Sequence, residues 1–471
     1  MLALLIIIPF ISALAMFLPV RKIFRLKLLC GVSLLHLIIT ASFWRTLPAS
    51  EFNGYLVLDA LGLILLSINS VLFLAVSVFM LGYFQHEQRR NKVLTACLCF
   101  LLSTITLVSV SYHLGLLWVA VETTTLFSAP LISFHRNQQT LEATWKYLLV
   151  CSVGIALALM GTFFMAIAAH NVQTLSLPVI LSNAALLSKD WLKISVIFLF
   201  VGYGCKMGLA PTHTWKPEAY GQATGMVVVL MAGGLTQCSF LALARVAQIC
   251  SKAGITDFYS SILIFSGVLS LAVPALFILG ERSLKRAFAF SSIEHMGLLV
   301  LGLGLGGIGI FGALFHMINN AIAKIIMFLT AGSIAQKYGS SRIEDVRGII
   351  RYYPVTGIFL ILAFFAGTGM FPFATFHSEL MILNSAVSTQ HWIIVGVGLA
   401  AICVMFIGTG RIVLDMVYGP TTEPVLEKKE NFFMNVSILA GIVVLMIIGL
   451  WMPAHLEKVI RAAALLVAGK G

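Results

Sequence analysis

The feature that most limits this chain is a succession of fourteen apolar stretches with no polar domain between them. About 20 apolar residues cross the hydrocarbon of a bilayer as a helix. The stretches fall near residues 2–20, 28–47, 60–84, 93–112, 114–134, 147–169, 190–215, 223–249, 258–280, 288–305, 308–336, 354–385, 391–418 and 433–453. In lipid every backbone polar group must be bonded within the protein, which leaves helices or closed barrels. Stretches of this length point to helices, so the expected fold class is an all-α polytopic membrane protein of about 14 transmembrane helices. The longest polar segment is Thr421 to Glu430, and no catalytic globule is expected. Composition agrees: 60% of residues are hydrophobic and 10% charged, against about 25% charged in soluble domains. Disordered, fibrous, disulfide-scaffold and nucleic-acid-binding classes are thereby excluded. The first stretch has no charged segment before it and no small-residue cleavage site after it, so it reads as a span and not a signal peptide.

The net charge is still +12. An even number of spans puts both termini on one side. The opposite side then collects 19 lysines and arginines, among them Arg21, Arg25, Arg89, Arg90, Lys216, Lys285, Arg286, Arg342, Lys428 and Lys429. The terminal side collects eight, including Lys189, Arg245 and Lys470. Cytoplasmic loops carry the excess of Lys and Arg, so both termini are expected outside. The eight cysteines sit in or beside spans, with no CxxC pair and no metal-ligand spacing to His, and read as packing residues. Gly302–Gly309 lacks the context of a nucleotide-binding loop. Neither a cofactor nor a metal is expected.

Three bases and four acids remain inside or near spans: Lys206, Lys324, Arg411, Glu122, Glu294, Glu379 and Asp415. A charge at the bilayer centre costs at least about 2.5–3.5 kcal/mol, and such a residue is a functional candidate by default. Glu122 lies near the middle of the fifth span and Lys206 within the seventh. On neighbouring helices they would pair, either as a working couple or as a static pin. His316, Asn320 and Lys324 are spaced i, i+4, i+8 and share one helical face. That stripe suits a file of water, or a set of interhelical hydrogen bonds. Glu294-His295 lies about two turns into the tenth span, as a proton uptake point or a solvated helix end. His213 is expected near the cytoplasmic surface. Arg411 and Asp415, four residues apart, suit a local pair.

Two spans are interrupted, at Gly208-Leu-Ala-Pro211 and at Gly367-Thr-Gly-Met-Phe-Pro372. Broken helices at membrane depth are tolerated where they line a cavity, and paired breaks in two halves point to a transport site. The breaks lie five spans apart, an odd offset, so their helices run oppositely. This predicts two inverted five-helix repeats, residues 93–249 and 258–418, after three N-terminal helices (1–92) and before a last helix and tail (419–471). Lys206 attends one break and Glu379 the other.

The segment Lys206-Met-Gly-Leu-Ala-Pro-Thr-His-Thr-Trp-Lys-Pro-Glu-Ala-Tyr220 resembles the antiporter-like subunits of respiratory complex I, multisubunit cation/proton antiporters and membrane-bound hydrogenases. The resemblance extends through Leu117-Trp-Val-Ala-Val-Glu122, Leu284-Lys-Arg-Ala-Phe-Ala-Phe-Ser-Ser292, His316 to Lys324, and Phe371-Pro-Phe-Ala-Thr-Phe-His-Ser-Glu379. The Trp-Lys-Pro-Glu-Ala-Tyr variant is most similar to the hydrogenase 4 component F and formate hydrogenlyase branch. The resemblance implies a proton relay in which Glu122 and Lys206 are a coupling pair, Lys324 the central carrier and Glu379 the exit group. It also implies a bacterial or archaeal inner membrane, and partners that include other membrane subunits of a redox complex and its cytoplasmic arm. Two departures stand out. A span-8 Lys or His is usual in the family, but Met231-Ala-Gly-Gly-Leu-Thr-Gln237 holds no titratable group, which leaves Gln237 or bound water to link the halves. The usual proline before that span is missing from Gly221-Gln-Ala-Thr-Gly225. The expected function is proton translocation driven by a partner's redox chemistry. A Na⁺/H⁺ antiporter subunit and a non-conducting scaffold are the alternatives.

Overall fold

The computed structural model describes residues 1–85, 91–420 and 430–470; Arg89, Arg90, Lys428, Lys429 and most of the Thr421–Glu430 segment lie outside the described residues. The helices, in order, are α1 (Leu2–Ala15), α2 (Lys22–Ser42), α3 (Ala60–Tyr83), α4 (Lys92–Val110), α5 (Leu114–Ile132), α6 (Gln138–Ala168), α7 (Leu177–Ser182), α8 (Lys189–Met207), α9 (Trp215–Gln222), α10 (Gly225–Leu230), α11 (Thr236–Lys252), α12 (Thr256–Ile278), α13 (Leu284–Leu305), α14 (Ile308–Tyr338), α15 (Ile349–Tyr352), α16 (Pro354–Gly367), α17 (Ala374–Ser388), α18 (Trp392–Tyr418), α19 (Phe432–Leu450) and α20 (Ala454–Val467). β-Pairing among the described residues is confined to isolated bridges such as Leu56 to Ser111.

Twelve helical segments among the described residues are long and apolar enough to cross a bilayer, and α1 and α16 are shorter apolar helices. The fourteen stretches read from the sequence each coincide with one of these. The seventh contains α8 and runs into the break before α9; the twelfth is α16 plus α17; the eighth is α10 and α11, joined through a π-helical turn at Met231–Leu235.

The bundle is layered by polarity. Segment 225–252, α13 and α14 are almost wholly enclosed. The helices α1, α2, α6, α12, α18 and α19 surround them and present exposed apolar side chains, among them Leu149, Phe163, Phe265, Leu276, Ile393 and Ile407. Apolar groups on the rim meet lipid at no cost, whereas the charged and amide side chains of α11, α13 and α14 are kept from it.

Three expectations are corrected. The tail after the last span forms α20, which buries Ile460, Ala463 and Val467 while Glu457 and Arg461 pair outside at 2.8 Å. An apolar face at helical spacing explains it. Three bases assigned to loops or edges are buried: Lys216, Lys285 and Arg245. Arg411 and Asp415 are both exposed on α18, and no ion pair joins them among the described residues.

Arg245 has a structural explanation. Its guanidinium holds Asp59 through two bonds, Nη1 to Oδ2 at 2.5 Å and Nη2 to Oδ1 at 2.7 Å. Tyr112 donates to the same carboxylate at 2.9 Å, and Asp59 also caps the first turn of α3 by accepting from Gly62 N–H. Burial acts to raise the Asp59 pKa, but the Arg245 charge and these hydrogen bonds outweigh it and hold the carboxyl below its ordinary value.

Candidate functional site

Each break exposes backbone carbonyls that a helix would otherwise consume. At the end of α8, Gly208 adopts φ +78° and its N–H turns back onto Cys205 and Gly204. This left-handed C-cap suits glycine. Side chains from α9 bond the carbonyls at this end: Trp215 Nε1–H also donates to Cys205 O, at 3.0 Å, and Lys216 Nζ to Met207 O at 2.9 Å. At the end of α16 the Gly367 carbonyl accepts from His295 Nε2 at 3.0 Å and from Ser291 Oγ at 3.2 Å. Gly369, at φ +62°, leaves the room that the Glu379 carboxylate occupies; a Cβ there would lie 2.1 Å from Oε2.

The first cluster gathers Glu122, Thr125, Tyr147 and Lys206. The two charges are bridged and not in direct contact. Thr125, one turn on from Glu122 along α5, donates to Glu122 Oε2 at 3.2 Å and accepts from Lys206 Nζ. The Tyr147 ring lies 5.8 Å from the ammonium, and its hydroxyl is bonded to Ser128 at 2.7 Å. Lys206 is wholly buried, whereas Glu122 is only half-buried on a helix face shared with exposed Val119 and Leu126.

The second cluster gathers Glu294, His295, His316, Lys324, Ser378 and Glu379, all buried. Lys324 lies close enough to Glu294 and Glu379 for their charges to act on it. The solvated-end reading of Glu294-His295 is therefore wrong: about ten residues, or some 15 Å of helix, separate them from the start of α13. A carbonyl only accepts, so His295 must donate through Nε2 to Gly367. When His295 is neutral its Nδ1 then accepts, and His316 Nε2–H donates to it at 3.0 Å. His316 Nδ1 in turn accepts from Ser378 Oγ at 2.9 Å. A Glu379 oxygen lies 3.7 Å from the same His295 Nδ1. His295, His316 and Glu379 offer donor atoms within 4.8 Å of one another, a spacing a metal ion would accept. The Lys324 charge, which acts on the same groups, opposes a second cation there.

The remaining candidates are placed as follows. Asn320 and Gln237 are fully buried, and neither amide meets a protein partner among the described residues. His213 is buried beside the first break, with Nδ1 unpartnered among the described residues, and is not the surface residue expected. Pro211 and Pro372 sit in the two breaks. Two clefts flank the clusters. One, of about 880 Å³, lies at the Lys/Arg-rich end and is lined by Thr224, Lys285, Arg286 and Arg342 among others. The other, of about 710 Å³, lies beneath α20 and is lined by His377, Gly449, Glu457, Arg461 and Lys470 among others. Sequence reasoning missed Thr125, Tyr147 and Lys216. Only Thr125 left a signal, its i, i+3 spacing from Glu122.

A polytopic bundle with buried charges gathered at two broken helices defines the class: an antiporter-like membrane subunit. The sequence model of the NADH:quinone oxidoreductase/Mrp antiporter transmembrane family matches residues 111–405, and the chain belongs to that family. A relative named hydrogenase-4 component F homolog, from Methylacidiphilum infernorum, is 30% identical over 347 residues, 71% of this chain and 73% of the relative. Among solved structures, the fold is similar to a chain of the membrane-bound sulfane sulfur reductase, an archaeal respiratory membrane complex, with TM-score 0.90, 21% identity and 99% and 97% of the two chains covered. It is also similar to a chain of the Mrp complex from a Dietzia species, with TM-score 0.87, 18% identity and 100% and 99% covered.

Proposed function

We propose that this chain moves protons from the cytoplasm to the outside as one subunit of a redox-driven membrane complex of hydrogenase or NADH:quinone oxidoreductase type. The observation that carries this reading is the Glu122–Thr125–Lys206 bridge. A carboxylate favours the charged form of a nearby amine, and desolvation disfavours it. Moving Glu122 away from Thr125 would leave Lys206 alone in a dry site, where it releases its proton. Returning Glu122 would let it reload.

In the second cluster Lys324 receives the proton and His295 Nδ1 passes it to Glu379, two residues from His377, which lines the cleft beneath α20. Residues 93–249 and 258–418 act as two inverted units, one per break. The partly open carboxylate of Glu122 at membrane depth calls for cover, and a neighbouring membrane subunit would supply both that cover and the signal. Energy comes from the partner's electron transfer in the cytoplasmic arm. The positive-inside asymmetry supports an inner-membrane protein with both termini outside.

Lys206→Ala and Glu122→Gln in the assembled complex test the reading. Redox-driven proton uptake into inverted membrane vesicles, followed with an acridine dye, should fall to background in both. Wild-type uptake in both would refute it. A sodium/proton antiporter is the second reading, favoured by the family's Mrp members. It predicts sodium-dependent transport that persists with no electron donor.

A further inference from the structure

The proposed relay leaves its two clusters unconnected, and a proton crossing between them needs a titratable group on the way. Gln237 lies on α11, which packs on both α8 and α13, but an amide does not titrate. Lys216 does. It follows the first break in a motif that reads as a loop, yet α9 folds back and buries it completely. Its amine nitrogen meets backbone beside each cluster. It donates to the carbonyl of Met207, the residue after Lys206, at 2.9 Å, and lies 3.4 Å from the carbonyl of Ser292, two residues before Glu294. Lys324 and His295 are within reach of its charge on one side. Cys151, which also feels Lys206, is within reach on the other. No carboxylate is bonded to it among the described residues, so no ion pair holds it in the charged form.

We propose that Lys216 is the lateral proton carrier joining the two clusters. This rests on the relay proposed above. When Lys206 gives up its proton, an N–H bond on Lys206 breaks and one forms on neutral Lys216, through an intervening water if the amines stand apart. The added charge then acts on Lys324, and the proton leaves Lys216 for that cluster. The like charges of Lys216 and Lys324 act on one another, which opposes both being loaded at once.

A plainer role must be separated from this one, because Lys216 also caps the C-terminal end of α8, where a cation is favourable. Arginine keeps the positive charge and the donors to Met207 O but does not release a proton in a protein. Lys216→Arg should therefore assemble and retain electron transfer while losing at least tenfold in proton uptake. Lys216→Met should lose uptake too, and Lys216→Met with Gln237→Lys, which puts an amine back between α8 and α13, should recover part of it. The assay uses inverted vesicles carrying the whole complex, energised with NADH, formate or hydrogen, with Lys206→Ala as control. If Lys206→Ala is inactive while Lys216→Arg pumps like wild type, Lys216 is a cap and the inference fails alone. If Lys206→Ala itself pumps normally, the relay reading fails first.

Discussion

Thr125 shows how much depends on one hydroxyl. It is the contact through which Glu122 reaches Lys206. A hydrogen bond to a charged group is worth about 1.5–3 kcal/mol, so Thr125→Val should weaken the coupling and cut proton flux at least about tenfold. Thr125→Ser, which keeps the oxygen, should retain most of it. Vesicle acidification measured on the two variants side by side distinguishes these outcomes. The four principal candidates, Glu122, Lys206, Lys324 and Glu379, were legible because a charge in an apolar span is conspicuous. Lys216 was hidden by the reverse effect. It sits in Thr-Trp-Lys-Pro-Glu, where polar neighbours and a proline make a surface loop the natural reading, and only the return of α9 into the protein buries it. His295 was visible as a polar residue, but its partners on α14 and α16 are set by packing that no local spacing encodes.

At the scale of elements, the breaks were legible from glycine and proline, but the use of their freed carbonyls was not. One break recruits Trp215 and Lys216, the other His295 and Ser291. The glycine positions are correspondingly strict. At Gly369 an alanine methyl would meet the Glu379 carboxylate and the left-handed backbone would add about 1–2 kcal/mol. Gly369→Ala should leave Lys206-side function intact in a folded protein while slowing proton release, seen as loss of uptake in vesicles at unchanged complex abundance. The helix α20 was missed because a 14-residue amphipathic segment after the last apolar span has the composition of a tail. Its burial against α3, α11 and α14 is a tertiary effect.

For the molecule as a whole, the span count and the layering followed from hydropathy, since lipid leaves few alternatives. The Asp59–Arg245 pair, joining residues 186 apart, lies beyond any local signal. Breaking a buried pair by removing one partner typically costs about 3–5 kcal/mol. Asp59 is not fully enclosed, so Arg245→Met should cost about 3 kcal/mol, measured as a lowered melting temperature in detergent. Because the folded-state pKa of Asp59 is depressed, its stabilisation is complete above the ordinary carboxylate pKa and is lost as pH falls through the lower folded value. Melting temperature should therefore drop in acid for the wild type, and drop less for Arg245→Met. Orientation is testable in membranes of known sidedness: a protease site appended after Gly471 should be cut from outside in spheroplasts and protected in inverted vesicles.

The layering also bears on how the protein is made. The helices that carry Glu294, His295, His316 and Lys324 are nearly sealed from lipid, and each charge would cost about 2.5–3.5 kcal/mol in an isolated helix. Three of the rim helices, α12, α18 and α19, cover this part of the molecule, yet α18 and α19 are synthesised after α13 and α14. The two charged helices are therefore made before part of their apolar cover exists. Biogenesis, as much as transport, is where the buried charges of this chain exact a cost.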